Sequence, residues 1–291
     1  MKDAIEIKNL TKSYGKARGV ENINLTIEKG TIYGFIGPNG AGKSTTIKCI
    51  MNMIRKNVGE IHIDNQLVTT KNSKIKEEIG YLPSEVHLYD DLTVKKMFAY
   101  SASFYKEDCT KKTKELIEKL EIDTSKKIDE LSLGNLKKVG IVLALMHDPQ
   151  FIIMDEATSG LDPLMQEKFY EIMKEEKRNG KTIFFSSHIL SEVKQLCDKV
   201  AIIKEGKIIK IETINHLINS NFVKVTIEAE ELDVIVKALK DENIIKKEDK
   251  TIEFFYAKDI NLLVQLLAKY RISKLFVQDL DMEDIFMHYY K

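Results

Sequence analysis

Two short stretches of this 291-residue chain carry side chains of the types and at the spacing that phosphate chemistry needs. The first is Gly37-Pro38-Asn39-Gly40-Ala41-Gly42-Lys43-Ser44, which fits G-x-x-x-x-G-K-[ST] and is followed by Thr45. A triphosphate brings several negative charges and needs many donors at once. Glycines let the backbone curl so that successive N–H groups turn inward, and a following helix adds the positive end of its dipole. Lys43 is then a mobile point charge for the β- and γ-phosphates, and the Ser44 hydroxyl a ligand for Mg²⁺. Alone, this motif specifies a nucleoside triphosphate and no more. The second stretch is Phe151-Ile152-Ile153-Met154-Asp155-Glu156, four apolar residues ending in two adjacent carboxylates. At the C-terminal end of a parallel strand it places both acids beside the phosphates. Asp155 would hold the Mg²⁺ shell through water, and Glu156 would polarise an attacking water. Taken alone, the same pattern also fits a buried strand with two solvated end residues.

These residues need elements to hold them. Thr31–Ile36 is an apolar strand running into the glycine-rich loop, and Thr45–Met53 has helical spacing, which is the strand–loop–helix context a phosphate loop requires. Residues 3–8 and 23–27 alternate as strands, and 58–63 and 79–82 add two more. A mostly helical insert spans about 84–140, with Val94, Met97, Phe98, Leu116, Ile117 and Leu120 at helical intervals. Leu136–Met146 reads as a helix stopped before Pro149, and Pro163–Arg178 as one capped by Asp162. Strands at 182–185 and 199–203, a helix at 191–197 and a hairpin through Glu205-Gly206 complete an α/β pattern with a largely parallel core sheet. After about residue 215 the order becomes β-α-β-β-α-β with a last helix at 282–290, which suits a small split-βαβ module. The expected domains are therefore 1–214 and 215–291.

Composition narrows the classes. Forty-five Lys+Arg balance 45 Asp+Glu, which argues against a protein whose task is to coat nucleic acid. Apolar runs such as Ile141–Met146 fall far short of the ~20 residues a membrane-spanning helix needs. The start of the chain, Met1–Glu6, lacks the apolar stretch of a signal peptide. Cys49, Cys109 and Cys197 are widely spaced and form no CxxC or Cys/His cluster, which fits a reducing cytosol.

The ordered set of motifs resembles the nucleotide-binding subunit of an ABC transporter. Tyr14 stands where that family places an adenine-stacking aromatic, and Gly37–Ser44 matches its Walker A. Leu131-Ser132-Leu133-Gly134-Asn135 stands where the family keeps its LSGGQ signature. Phe151–Glu156 matches Walker B, Ser159-Gly160-Leu161-Asp162 the D-loop, and His188 the switch histidine. The resemblance covers about residues 3–211. It implies a P-loop NTPase domain with a parallel core sheet, an antiparallel β subdomain and a helical insert, plus a small α+β C-terminal domain. It further implies a head-to-tail dimer in which each ATP lies between one subunit's Walker A and the other's signature. Ser132 and the Gly134 N–H would then face the γ-phosphate across the interface, and His188 would orient the water and Glu156. The catalytic set implied is Glu156, His188 and Lys43. The ATP-binding set adds Tyr14, Gly37, Pro38, Asn39, Gly40, Ala41, Gly42, Ser44, Thr45, Ser132, Gly134 and Asp162. The remaining histidines, His62, His87, His147, His216 and His288, have no motif context.

Two positions depart from the family pattern. Where a Q-loop glutamine touching Mg²⁺ is usual, this chain has Ser84 followed by Glu85, and the shorter serine acts at most through a water. In the signature, Leu133 replaces the first glycine and Asn135 the glutamine. A working signature and a catalytically weak half of a heterodimer are both compatible with this. Residues from about 215, with Met282-Glu283-Asp284-Ile285-Phe286, resemble the C-terminal domain of subunits serving ABC-2 type permeases such as antibiotic-peptide exporters. The chain is too short for a fused membrane domain. The expectation is thus an ATPase at the cytoplasmic face of the membrane, using ATP and Mg²⁺. It would work with a separate permease and a second ATP-binding subunit, and not with nucleic acid. The alternative is a soluble ABC ATPase acting on nucleic acid or ribosomes. Those usually carry two motors, long coiled coils or zinc insertions, and this chain has one Walker A, no cysteine pair and no long heptad run. A plain P-loop kinase or GTPase leaves the signature and D-loop segments unexplained.

Overall fold

A computed structural model describes residues 3–15, 17–218, 223–239, 243–256 and 258–279. It divides into two compact units, Met1–Thr213 and Ile214–Lys291. In chain order the first unit carries β1 (Asp3–Tyr14), β2 (Ala17–Glu28), β3 (Ile32–Ile36), α1 (Lys43–Ile50), β4 (Val58–Ile63), β5 (Gln66–Leu67), β6 (Ile79–Leu82), α2 (Val94–Ala102), α3 (Thr110–Leu120), α4 (Leu133–Leu145), β7 (Phe151–Asp155), α5 (Pro163–Arg178), β8 (Thr182–Ser187), α6 (Leu190–Leu196), β9 (Lys199–Lys204) and β10 (Lys207–Thr213).

Its central sheet has the order β10-β9-β3-β8-β7-β6. β6, β7, β8, β3 and β9 run parallel, and β10 closes the edge antiparallel. Every residue of β3, β7 and β8 is buried, which is why β3 and the first four residues of β7 read as unbroken apolar runs and do not alternate. A second, antiparallel sheet has the order β2-β1-β4-β5. Its inward residues, Ile5, Ile7, Leu10, Ile23 and Ile27, share one core with Tyr33, Phe35 and Phe184 of the central sheet and with Ile47 and Ile50 of α1.

Register explains why the site residues converge. Ile36 at the end of β3 is opposite Ser187 on β8, and Asp155 at the end of β7 is opposite Ser186. Three neighbouring parallel strands therefore end at one edge. Gly37, Glu156 and His188, the residues that follow them, leave the sheet side by side, as ligand sites of open α/β sheets require.

Element ends differ from the sequence reading. β1 and β2 extend well past 3–8 and 23–27 because they pair along most of their length as a bulged hairpin. α1 starts at Lys43 and ends at Ile50, where Thr45–Met53 was expected. α4 starts at Leu133 rather than Leu136, because the Ser132 side chain caps it by accepting from the Asn135 N–H at 3.4 Å. The insert is helical at α2, α3 and α4, and residues 84–93 are not helical. Asp162 does cap α5, its carboxylate accepting from the Met165 N–H at 2.9 Å.

The second unit carries α7 (Ile214–Ile218), β11 (Val223–Ala229), α8 (Leu232–Leu239), β12 (Asn243–Lys247), β13 (Thr251–Tyr256), α9 (Ile260–Leu267) and β14 (Ile272–Asp279). The sheet order β12-β13-β11-β14, with all neighbours antiparallel, interleaves two βαβ units. Val225, Ile227, Ile235, Ile252, Phe254 and Leu263 form its own core. The short α7 has no counterpart in the sequence reading. The expected final helix at 282–290, the Met282–Phe286 ending and His288 lie outside the described residues. No helix among the described residues is long and apolar enough to cross a membrane.

Candidate nucleotide site

The loop Gly37–Gly42 joins β3 to α1 and packs too closely for side chains at two of its glycines. A Cβ on Gly37 would stand 2.4 Å from the Ile203 carbonyl oxygen, and one on Gly42 would stand 2.6 Å from Val20 Cγ1. Gly42 also has φ +111°, a conformation that glycine adopts without the strain an L side chain would bear. Gly42 offers no capping side chain to α1, so the first N–H groups of that helix are left to an external acceptor. Ser44 and Thr45 sit half-buried in this first turn.

Lys43 is 5% exposed. Its Nζ donates to the Gly37 carbonyl at 2.7 Å and to the Pro38 carbonyl at 3.2 Å, and it pairs with Glu156 Oε1 at 3.1 Å. The other oxygen of Glu156 lies 2.9 Å from His188 Nδ1. Lys43, Glu156 and His188, the three residues the sequence nominates for catalysis, thus form one contact chain. The Glu156 carboxylate is largely shielded while the His188 ring stays open, at 18% and 42% side-chain exposure. This leaves the Glu156 carboxylate lining a pocket of about 240 Å³ together with Ser159, Gly160, Ser187, His188 and Glu192.

Asp155 is 1% exposed and accepts from Ser186 Oγ at 2.5 Å through Oδ1. Its Oδ2 is buried without a hydrogen-bond partner. A buried carboxylate oxygen left in this state suits a cation or its hydration water. Among the described residues no cluster of three His, Cys, Asp or Glu side chains could hold a metal by itself. Ser44 and Asp155 therefore fit Mg²⁺ of the kind that takes most of its ligands from phosphate and water.

The remaining nominated residues take other positions. Tyr14, at the end of β1, is 45% exposed with Lys12 Nζ 4.9 Å above its ring. Ser132 caps α4, and Gly134 lies against the D-loop, where a Cβ would stand 2.6 Å from the Gly160 carbonyl oxygen. Their contacts run to α4 and Gly160, not to Lys43, Glu156 or His188. Asp162 is engaged as the α5 cap. Ser84 is exposed, and it is its backbone carbonyl that is engaged, accepting from Lys137 Nζ at 2.7 Å.

Sequence reasoning missed a buried polar layer beneath the site. Glu192 is 3% exposed, accepts from Ser187 Oγ at 2.6 Å and is bonded by the Thr158 hydroxyl. It thereby ties the segment after Glu156 to the one before His188. Lys137 is 2% exposed. The signal available for it was a pair of charges, Lys137 and Lys138, on a helix that is otherwise apolar from Leu136 to Met146.

Residues 20–159 match the model of the ABC transporter family. The chain is 36% identical to the bacitracin transport ATP-binding protein BcrA of Bacillus licheniformis, over 76% of its own length and 73% of that protein's. It is 34% identical to the linearmycin resistance ATP-binding protein LnrL of Bacillus subtilis, over 72% of its own length and 69% of that protein's. An ABC transporter ATP-binding protein of Methanocaldococcus jannaschii is 35% identical, over 85% of this chain and 95% of that one. Among solved structures, the ATP-binding subunit of an ABC transporter superposes with a TM-score of 0.67 at 28% identity, covering 74% of this chain and 91% of that one. A dimeric ATP-binding cassette in a post-hydrolysis state, bound to ADP and Pi, superposes with a TM-score of 0.66 at 26% identity, covering 72% and 98%. The P-loop fold, the parallel sheet edge and these relatives agree: the chain belongs to the ABC transporter ATP-binding proteins and is an ABC-type ATPase.

Proposed function

We propose that the chain is the energy-coupling subunit of an ABC-2 type exporter. In this reading it acts as a head-to-tail dimer with ATP at the interface and lies peripherally at the cytoplasmic face of the membrane, beside a separate permease. Residues 1–214 would be the motor and 215–291 an accessory module. The observation that carries the hydrolytic part is the contact chain Lys43–Glu156–His188 at the sheet edge. The exporter part is supported by relatives named for bacitracin transport and linearmycin resistance. The dimer is supported by the cassette solved as a dimer with ADP and Pi.

In this reading the loop 37–42 and the start of α1 hold the phosphates by N–H groups, and Lys43 moves its charge onto the β- and γ-phosphates. Mg²⁺, held by Ser44 and through water by Asp155, would neutralise phosphate charge. Glu156 accepts a proton from the attacking water, and His188 orients that pair. Ser132 and Gly134 of a second subunit would present the N-terminus of α4 to the γ-phosphate, with Tyr14 stacked on adenine. The test is affinity purification of the full chain from detergent-solubilised membranes. A polytopic membrane protein should co-purify and raise ATP turnover. Recovery with ribosomes or nucleic acid, and no membrane protein, would favour the other class.

A further inference from the structure

The Lys137 ammonium sits where α4 passes beneath two other segments. Its Nζ donates to the carbonyls of Ser84 at 2.7 Å, Glu156 at 3.3 Å and Pro83 at 3.4 Å. An ammonium has three N–H donors and no acceptor, so three carbonyls use its capacity in full. Burying such a charge is costly unless it is bonded in this way. Burial pulls the Lys137 pKa down, while the nearby carboxylates of Asp155, Glu156 and Glu85 act to keep the charge.

What it bonds makes this more than a satisfied core lysine. Glu156 has φ +50°, a left-handed conformation that strains a residue with a side chain. Two groups hold its N–H, the Ser186 carbonyl and the Ser186 hydroxyl, each at 3.2 Å. Its carbonyl is held by Lys137. The peptide units on both sides of the strained residue are thus fixed, and the carboxylate between them is aimed at Lys43 and His188. The same ammonium binds Pro83 and Ser84, in the loop after β6. This link runs through backbone carbonyls, so it does not depend on which side chain stands at position 84.

We propose that Lys137 is a positioning residue for hydrolysis, whose ammonium ties the Pro83–Ser84 loop to the strained Glu156 turn and so fixes the aim of the Glu156 carboxylate. This rests on the reading of Glu156 as the base.

The test uses the full-length chain with Lys137→Met, which keeps the length and removes all donors, and Lys137→Gln, which keeps two donors without the charge. Turnover and KM for ATP are measured together with hydrogen exchange of peptides covering 82–88 and 155–160. Losing charge-assisted bonds should lower kcat about tenfold or more in Lys137→Met and about three- to tenfold in Lys137→Gln. KM should stay within about twofold, as expected when the loss falls on the transition state. Exchange should rise in those two segments and not in β3 or α1. Wild-type kcat in a folded Lys137→Met overturns the proposal, and so does a uniform rise in exchange with KM and kcat both impaired. Should Lys137→Met fail to fold, wild-type kcat in Lys137→Gln overturns it alone. Glu156→Gln is measured in parallel. If that variant turns over normally, the reading of Glu156 fails, whereas its inactivity beside a normal Lys137→Gln sinks this inference only.

Discussion

Lys43 has two kinds of partner, the Gly37 and Pro38 carbonyls of its own loop and the Glu156 carboxylate. A flexible ammonium on such partners can transfer to phosphate oxygens without rebuilding the loop. Lys43→Ala should therefore lose most ATP binding or hydrolysis while keeping a native circular-dichroism spectrum, and an unchanged ATPase rate would contradict the role. Tyr14 offers a half-exposed ring with a cation already above it. If adenine stacks there, Tyr14→Ala should weaken nucleotide binding by about 1–3 kcal/mol, with Tyr14→Phe close to wild type. Equal ATP affinity in the alanine variant, measured by fluorescence titration, would leave Tyr14 as a surface aromatic. At position 84 only the backbone carbonyl is seen to be engaged. Ser84→Ala should thus change turnover little, and a strong effect in a permease-bound assay would show that the hydroxyl reaches the metal after all.

α4 shows how far the sequence could be read at the scale of elements, and where reading stopped. Its apolar run was legible, because a helix buried on several sides needs one. Its start was not, because Ser132 fixes that boundary through a cap rather than through periodicity. The strands β3 and β7 were legible because burial on both faces demands continuous apolar residues. Lys137 and Glu192 were not, since their bonds to Ser84, Glu156 and Thr158 are decided by the packing of segments distant in sequence. Ser132 is therefore both a cap and a nominated phosphate contact, and the two roles separate by measurement. Ser132→Ala should cost about 0.5–2 kcal/mol of stability from the cap alone. Ser132→Asp, which restores a capping oxygen, should recover the thermal midpoint. It should not recover turnover if the hydroxyl faces a phosphate, because the new charge repels it. Recovery of both would reduce Ser132 to a cap.

At the scale of the molecule, each unit has its own apolar core, so a chain ending at residue 213 should fold and bind ATP as the full chain does. Loss of cooperative thermal unfolding in that fragment would show that the second unit is needed for the fold of the first. The parallel strands bring Gly37, Glu156 and His188 to one edge, while Gly134, two residues after Ser132, lies against Gly160 on the D-loop. In the proposed head-to-tail dimer, that division would leave the signature for a second subunit's nucleotide and make hydrolysis a property of the dimer. The central claim is that Glu156 acts on water in that dimer. Its most direct test is ATP turnover of Glu156→Gln, with size-exclusion chromatography of the same variant in ATP and Mg²⁺. Turnover should fall by ~10²–10⁴-fold, the usual worth of general-base catalysis, while ATP still binds and an ATP-dependent dimer accumulates. Near-wild-type turnover with no such dimer would contradict the account.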